Sequence, residues 1–105
     1  MVVTLNKTGR ALTLDMLVKP KIDDNKNLQL WAVSHENGDV KSLGLIELEK
    51  HVEKNLSKPQ WGLIKNAEYL IVSVENPGGS SKGPTGKIIS KGLCVKVAGW
   101  ESKTS

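Results

Sequence analysis

The sequence predicts an all-β protein, an antiparallel β-sandwich carrying one short helix around residues 47–56. Three observations support this. Six or so short segments alternate apolar and polar residues or run apolar for the length of a strand. Clusters of Gly, Pro, Asn, Asp and Ser separate them, most clearly "ENGD" and "ENPGGSSKGPTG". One stretch alone, near the middle, changes to a four-residue apolar period.

The first strand is "RALTLDMLV", where Leu12, Leu14, Met16 and Val18 share one face and Thr13 and Asp15 the other. Pro20 stops it, since proline lacks the amide proton a ladder needs. After the polar connector "KIDDNKN", "LQLWAVS" reads as the second strand, with Leu28 and Leu30 inward and either Trp31 or Ala32 competing for the core. Asn37-Gly38 is the strongest hairpin signal in the chain, because both residues tolerate positive φ, and "VKSLGLIEL" then returns as the antiparallel partner.

Between Glu47 and Leu56, the apolar residues Leu48, Val52 and Leu56 recur every four positions. This predicts a helix whose wet face is Glu47, Glu49 and Glu53 with Lys50 and Lys54 beside them. "SKPQWGLIKNA" reads two ways, with Pro59 at a helix start and Trp61, Leu63 and Ile64 as an apolar anchor. "EYLIVSVE" is the clearest strand, "TGKIIS" is a short one, and "GLCVKVAGW" closes the domain, with Cys94 and Lys96 on one face and Leu93, Val95 and Val97 on the other. A run of short strands with little helix is the pattern of two packed antiparallel sheets, the immunoglobulin-like arrangement.

A chain of 105 residues forms one domain, here a core over about residues 10–100 with polar ends at 1–9 and 101–105. No apolar run reaches a membrane span, and "MVVTLNKTGR" is not a signal peptide, so this segment is expected to make no membrane contact of its own. The net charge of +4 does not point to nucleic acid: all basic residues except Arg10 are lysines, scattered without a cluster, and aromatics for base stacking are few. The lone Cys94 excludes an internal disulfide and a multi-cysteine zinc site, and reads as a structural thiol.

No catalytic, metal or cofactor set emerges, so an enzyme is not expected. His35 and His51 lack ligand-spaced companions and read as solvated. "SSKG" is not a nucleophile elbow. "GSSKGPTGKI" shares letters with a phosphate loop, but its spacing fails and a Pro interrupts it. Trp31, Trp61 and Trp100 read as core filling rather than sugar-stacking platforms. In the Gly/Pro loop, Gly78 and Gly79 permit unusual backbone and Pro84 stiffens the return, so Glu75 at the strand end is placed to accept hydrogen bonds from loop amides or Thr85. That makes Glu75 a clamp; the competing reading is a contact site for a protease, a partner or a small ligand.

"LQLWAVS", "KSLGLI", "YLIVSVENPGGSSKGPTGKI" and the later "KG" occur in the order seen in the C-terminal, extracytoplasmic domain of anti-sigma-K factor family proteins, which the chain resembles over residues 11–93 or so. The matching positions are Trp31; Ser42, Leu43 and Gly44; Ser73 and Glu75; Gly78, Gly79 and Ser80; and Pro84, Thr85 and Gly86. The chain departs from the pattern at Asn76, where the family usually has Pro, at Lys87, and in a one-residue-longer stretch from Ser80 to Pro84.

The resemblance implies a non-enzymatic regulatory or sensor domain on the periplasmic or extracytoplasmic face of the inner membrane. It would belong to a single-span anti-sigma factor controlled by stepwise proteolysis. The implied partners are a sigma factor, held by a cytoplasmic part this sequence lacks, and a protease; self-association is compatible with it. The alternative is an Ig-like extracellular module binding a carbohydrate or protein partner.

Overall fold

The eight-residue strand Asn27–Ser34 (β3) is buried along both faces, and the protein is built around it. The computed structural model describes residues 1–6 and 9–94. In chain order the elements are β1 (Val2–Asn6), β2 (Ala11–Asp15), β3, β4 (Val40–Ile46), β5 (His51–Asn55), α1 (Lys58–Lys65), β6 (Ala67–Glu75) and β7 (Ile88–Leu93). Two antiparallel sheets form, one ordered β1-β2-β5 and the other β4-β3-β6-β7. The all-β sandwich expected from the sequence is therefore present.

Leu12 and Leu14 of β2, Leu28, Leu30 and Ala32 of β3, Val52 of β5 and Leu70 and Val72 of β6 meet between the sheets. Because side chains alternate along a strand, the opposite face of β3 carries Gln29, Trp31 and Val33. Trp31 and Ala32 do not compete for one core: Ala32 lies between the sheets, while Trp31 packs with Val33 and Ile71 in a second cluster on the outer face of the four-stranded sheet. The Asn37-Gly38 hairpin is as expected, with Gly38 at φ 75° and the Ser34 amide donating to the Asp39 carbonyl at 2.8 Å.

The helix expected at 47–56 is not there. His51–Asn55 is strand β5, paired antiparallel to β2 with Val52 opposite Leu14, and the Met16 amide donates to the Lys50 carbonyl at 2.9 Å, ahead of the strand. The reason is arithmetic: a spacing of four returns to the same side in a strand as well as in a helix. Val52 and Leu56 are buried and Leu48 is exposed, so only the later two residues serve the core. The one helix among the described residues begins at Lys58 instead. Ser57 caps it, its hydroxyl accepting from the Gln60 amide at 3.2 Å while the Gln60 side chain accepts from the Ser57 amide at 2.9 Å. This reciprocal box, with Pro59 in the first turn, resolves "SKPQWGLIK" as helix, and its Trp61 and Ile64 are buried.

The start of the chain, expected to be a polar end, contains β1: Val3 and Leu5 turn inward against the core while Val2, Thr4 and Asn6 face out. The "IIS" of "TGKIIS" and the opening of "GLCVKVAGW" form one strand, β7, continuous through Gly92. The segment after Cys94, with Lys96, Val97 and Trp100, lies outside the described residues. Among the described residues no helix is long and apolar enough to cross a membrane.

Candidate functional site

Strand β6 ends at Glu75, and the twelve-residue connection to β7 folds back over the outer face of the four-stranded sheet, beside Gln29, Trp31 and Ser73. Antiparallel pairing sets this up. Asn27 lies opposite Glu75, Gln29 opposite Ser73 and Trp31 opposite Ile71. Asn27, Gln29 and Glu75, outward at this end of the pair, therefore meet the returning loop.

A chain of hydrogen bonds crosses this face. The Trp31 indole N–H donates to the Ser73 hydroxyl at 2.8 Å, and that hydroxyl donates to the Glu75 carboxylate at 2.5 Å. From the loop, Thr85 donates its hydroxyl at 2.5 Å and its amide at 3.1 Å to the same carboxylate, and the Gly86 amide adds a contact at 3.4 Å. Glu75 is 2% exposed. Burial pushes its carboxyl up, but the donors from Ser73, Thr85 and the Gly86 and Thr85 amides prevail and hold it below the usual carboxylate range. A buried anion ringed by donors is stabilised by charge-assisted bonds, so Glu75 stays ionised and ties β6 to the loop.

A second anchor was not anticipated from the sequence. Gln29, 4% exposed, donates to the Ser42 hydroxyl at 2.7 Å and to the Ser80 carbonyl at 3.1 Å, and its own carbonyl accepts from the Ser80 amide at 2.8 Å. Asn27 accepts from the Gly78 amide at 2.8 Å. The available signal was a glutamine inside an otherwise apolar strand, because a buried amide requires partners.

Two glycines are required by close approach. A Cβ on Gly79 would stand 2.7 Å from the Gln29 side-chain oxygen, at a φ of 85° that favours glycine in any case. A Cβ on Gly86 would fall 1.7 Å from the Val74 carbonyl oxygen, so nothing larger than hydrogen fits there. Ser80 closes the loop's interior, its hydroxyl donating to the Gly83 carbonyl at 2.7 Å, while Pro84 sits half-buried before Thr85.

The departure at Asn76 has a structural use: its side-chain oxygen accepts from the Lys26 ammonium at 2.7 Å, and its carbonyl accepts from the Gly79 amide at 2.9 Å. The "SLG" segment lies on β4. There a bulge places Ser42 opposite Trp31 and Gly44, at φ 100°, opposite Leu30, with Leu43 as the extra residue buried in the core. The structure thus gathers the dispersed positions Trp31, Ser42, Ser73, Glu75, Gly79, Ser80, Thr85 and Gly86 on one side of one sheet.

The two histidines lie elsewhere. His35 is exposed by the hairpin, its amide bonded to the Asn66 carbonyl. His51 is exposed on β5, its Nδ1 2.6 Å from Asp15 and its Nε2 3.4 Å from Glu53. The hydrogen bond to Asp15, then that to Glu53, raises its pKa above the ordinary 6.5. Among the described residues no group of three or more His, Cys, Asp or Glu could hold a metal ion.

The family model described as "Anti-sigma-K factor rskA, C-terminal" matches residues 1–88. No curated protein and no solved structure matches the chain. The matched span runs from the first strand to the start of β7 and holds the whole loop with both of its anchors. The chain belongs to the anti-sigma-K factor C-terminal domain family.

Proposed function

We propose that this chain is the extracytoplasmic regulatory domain of a membrane-anchored anti-sigma factor, and that it acts as a folded body governing proteolytic release of the sigma factor rather than as an enzyme. The observation that carries this reading is the family match over residues 1–88, which implies a sigma factor as partner of the full-length protein. The geometry of the loop supports a non-catalytic role. Glu75, the one buried carboxylate among the described residues, spends its oxygens on Ser73, Thr85 and Gly86, and Gln29 spends its amide on Ser42 and Ser80. A general base or nucleophile needs a free lone pair aimed at substrate.

A domain of this kind regulates by its fold. A segment held in a sheet or tied by several hydrogen bonds presents no extended chain to a protease until it opens, so domain stability sets how readily the parent is cut. Removing this domain from the membrane-anchored parent tests the reading. Release of the sigma factor without a stimulus would establish an inhibitory role, whereas unchanged, stimulus-dependent release would remove the domain from the pathway.

A further inference from the structure

We propose that the end of the sandwich bearing Leu17 and Val18 is an interfacial contact surface for an anionic lipid membrane. These two consecutive aliphatic residues cap the connection between β2 and β3 and are 85% and 73% exposed. Isolated exposed aliphatics are common on protein surfaces, but an adjacent pair at a loop tip is a hydrophobic projection. Its base is fixed, because Met16, immediately before it, is 6% exposed in the core, and Pro20 restricts the backbone after it.

Beneath the tip lies an open cavity of about 400 Å³ lined by Met1, Met16, Pro20 and Ile89 along with the tip itself.

The charged side chains that line the cavity are both basic. Lys19 and Lys21 flank Pro20 and are exposed, and Lys21 and Lys91 line the cavity. None of the three makes an ion pair among the described residues; Lys91 instead stands 4.1 Å over the Tyr69 ring. Of the acids nearby, Asp15 is engaged with His51, and Asp23, Asp24 and Glu49 are exposed but do not line the cavity.

Aliphatic side chains leading and lysines behind are the arrangement of an interfacial anchor, in which acyl-chain burial and attraction to anionic headgroups add. Each lysine near such a surface strengthens binding about fivefold. The absence of a spanning segment, from which no membrane contact was expected, does not bear on this mode, because an interfacial contact needs none.

The test is co-sedimentation of the 105-residue chain with vesicles of pure phosphatidylcholine and of phosphatidylcholine containing phosphatidylglycerol. Binding to the anionic vesicles at least tenfold stronger than to the neutral ones is expected, reduced tenfold or more both by Leu17→Ser/Val18→Ser and by Lys19→Glu/Lys21→Glu. Circular dichroism should show unchanged folding of both variants, since all four side chains are exposed. Three results would overturn the proposal: no retention on anionic vesicles, retention undiminished in the Leu17→Ser/Val18→Ser variant, or a Leu17-dependent dimer in sedimentation analysis without lipid binding. Because the isolated chain is used, these outcomes are independent of whether removing the domain deregulates the sigma factor.

Discussion

Replacing Glu75 with Gln isolates the charge at the centre of the loop anchor while keeping its shape. All the groups that reach this carboxylate are donors: the Ser73 hydroxyl, whose own lone pair is taken by Trp31, the Thr85 hydroxyl and amide, and the Gly86 amide. A glutamine must turn its NH₂ toward one of them. The least costly orientation puts the NH₂ against Thr85, whose hydroxyl can rotate to accept, and leaves the other oxygen for Ser73 and the amides. What is lost is chiefly the charge assistance of several bonds at a site 2% exposed.

Hydrogen bonds to charged groups contribute about 1.5–3 kcal/mol each, and relief of the buried charge offsets part of the loss. The expected net destabilisation is about 1–3 kcal/mol, a fall in Tm of roughly 4 °C or more in a domain of this size. The pH dependence supplies a second signature. The carboxyl of Glu75 is held below its ordinary value of 4.5, so its stabilisation is fully present above that pH and is lost as pH falls through the depressed folded value. Urea denaturation of wild type and Glu75→Gln at neutral and acid pH should therefore show a gap that narrows on acidification. A variant as stable as wild type at pH 7, or a gap independent of pH, would refute the anchor.

Gly86→Ala should destabilise by at least about 2 kcal/mol through overpacking, since its Cβ would meet the Val74 carbonyl, whereas Gly83→Ala, with no atom within 4 Å, should cost only about 1 kcal/mol for its positive φ; urea denaturation of the two variants compares them. Gln29→Leu strands the Ser80 amide and carbonyl and the Ser42 hydroxyl, with an expected loss of about 1–3 kcal/mol and faster trypsin cleavage after the exposed Lys82, read by limited proteolysis and mass spectrometry. His51 should titrate above 6.5 by NMR, and Asp15→Asn should lower that value. Because the folded value is raised, any stability from the pair is fully present below 6.5 and disappears as pH rises through the folded value.

The parts of the fold legible in the sequence are those where local chemistry and tertiary role agree. Asn37-Gly38 marked a turn because the turn needs positive φ, and Leu12, Leu14, Leu28 and Leu30 marked the core through their period of two. The misplaced helix shows where that agreement ends. Leu48, Val52 and Leu56 fit a helix and a strand equally well in spacing, and the choice fell to an influence outside the segment: β2 needed a second hydrogen-bonded neighbour and β5 supplied it. The decisive local clue lay one residue further on, in Ser57 and Gln60, whose reciprocal capping starts the helix there and leaves His51–Asn55 as strand.

The anchored loop was legible in half. Its glycines and Pro84 announced an unusual backbone, and Glu75 at a strand end announced a need for donors. Gln29 and Asn27 did not name their loop partners, which stand 51 residues away in sequence and become neighbours only when β3 pairs with β6. That distance explains why so many motif positions serve one local structure. Trp31, Ser73 and Glu75 matter together because they form one line of hydrogen bonds, and Ser42 and Ser80 because they share Gln29. Residues whose polar groups are spent in this way cannot also select a partner without breaking the line. Any contact with a partner then falls to side chains that the architecture leaves unused.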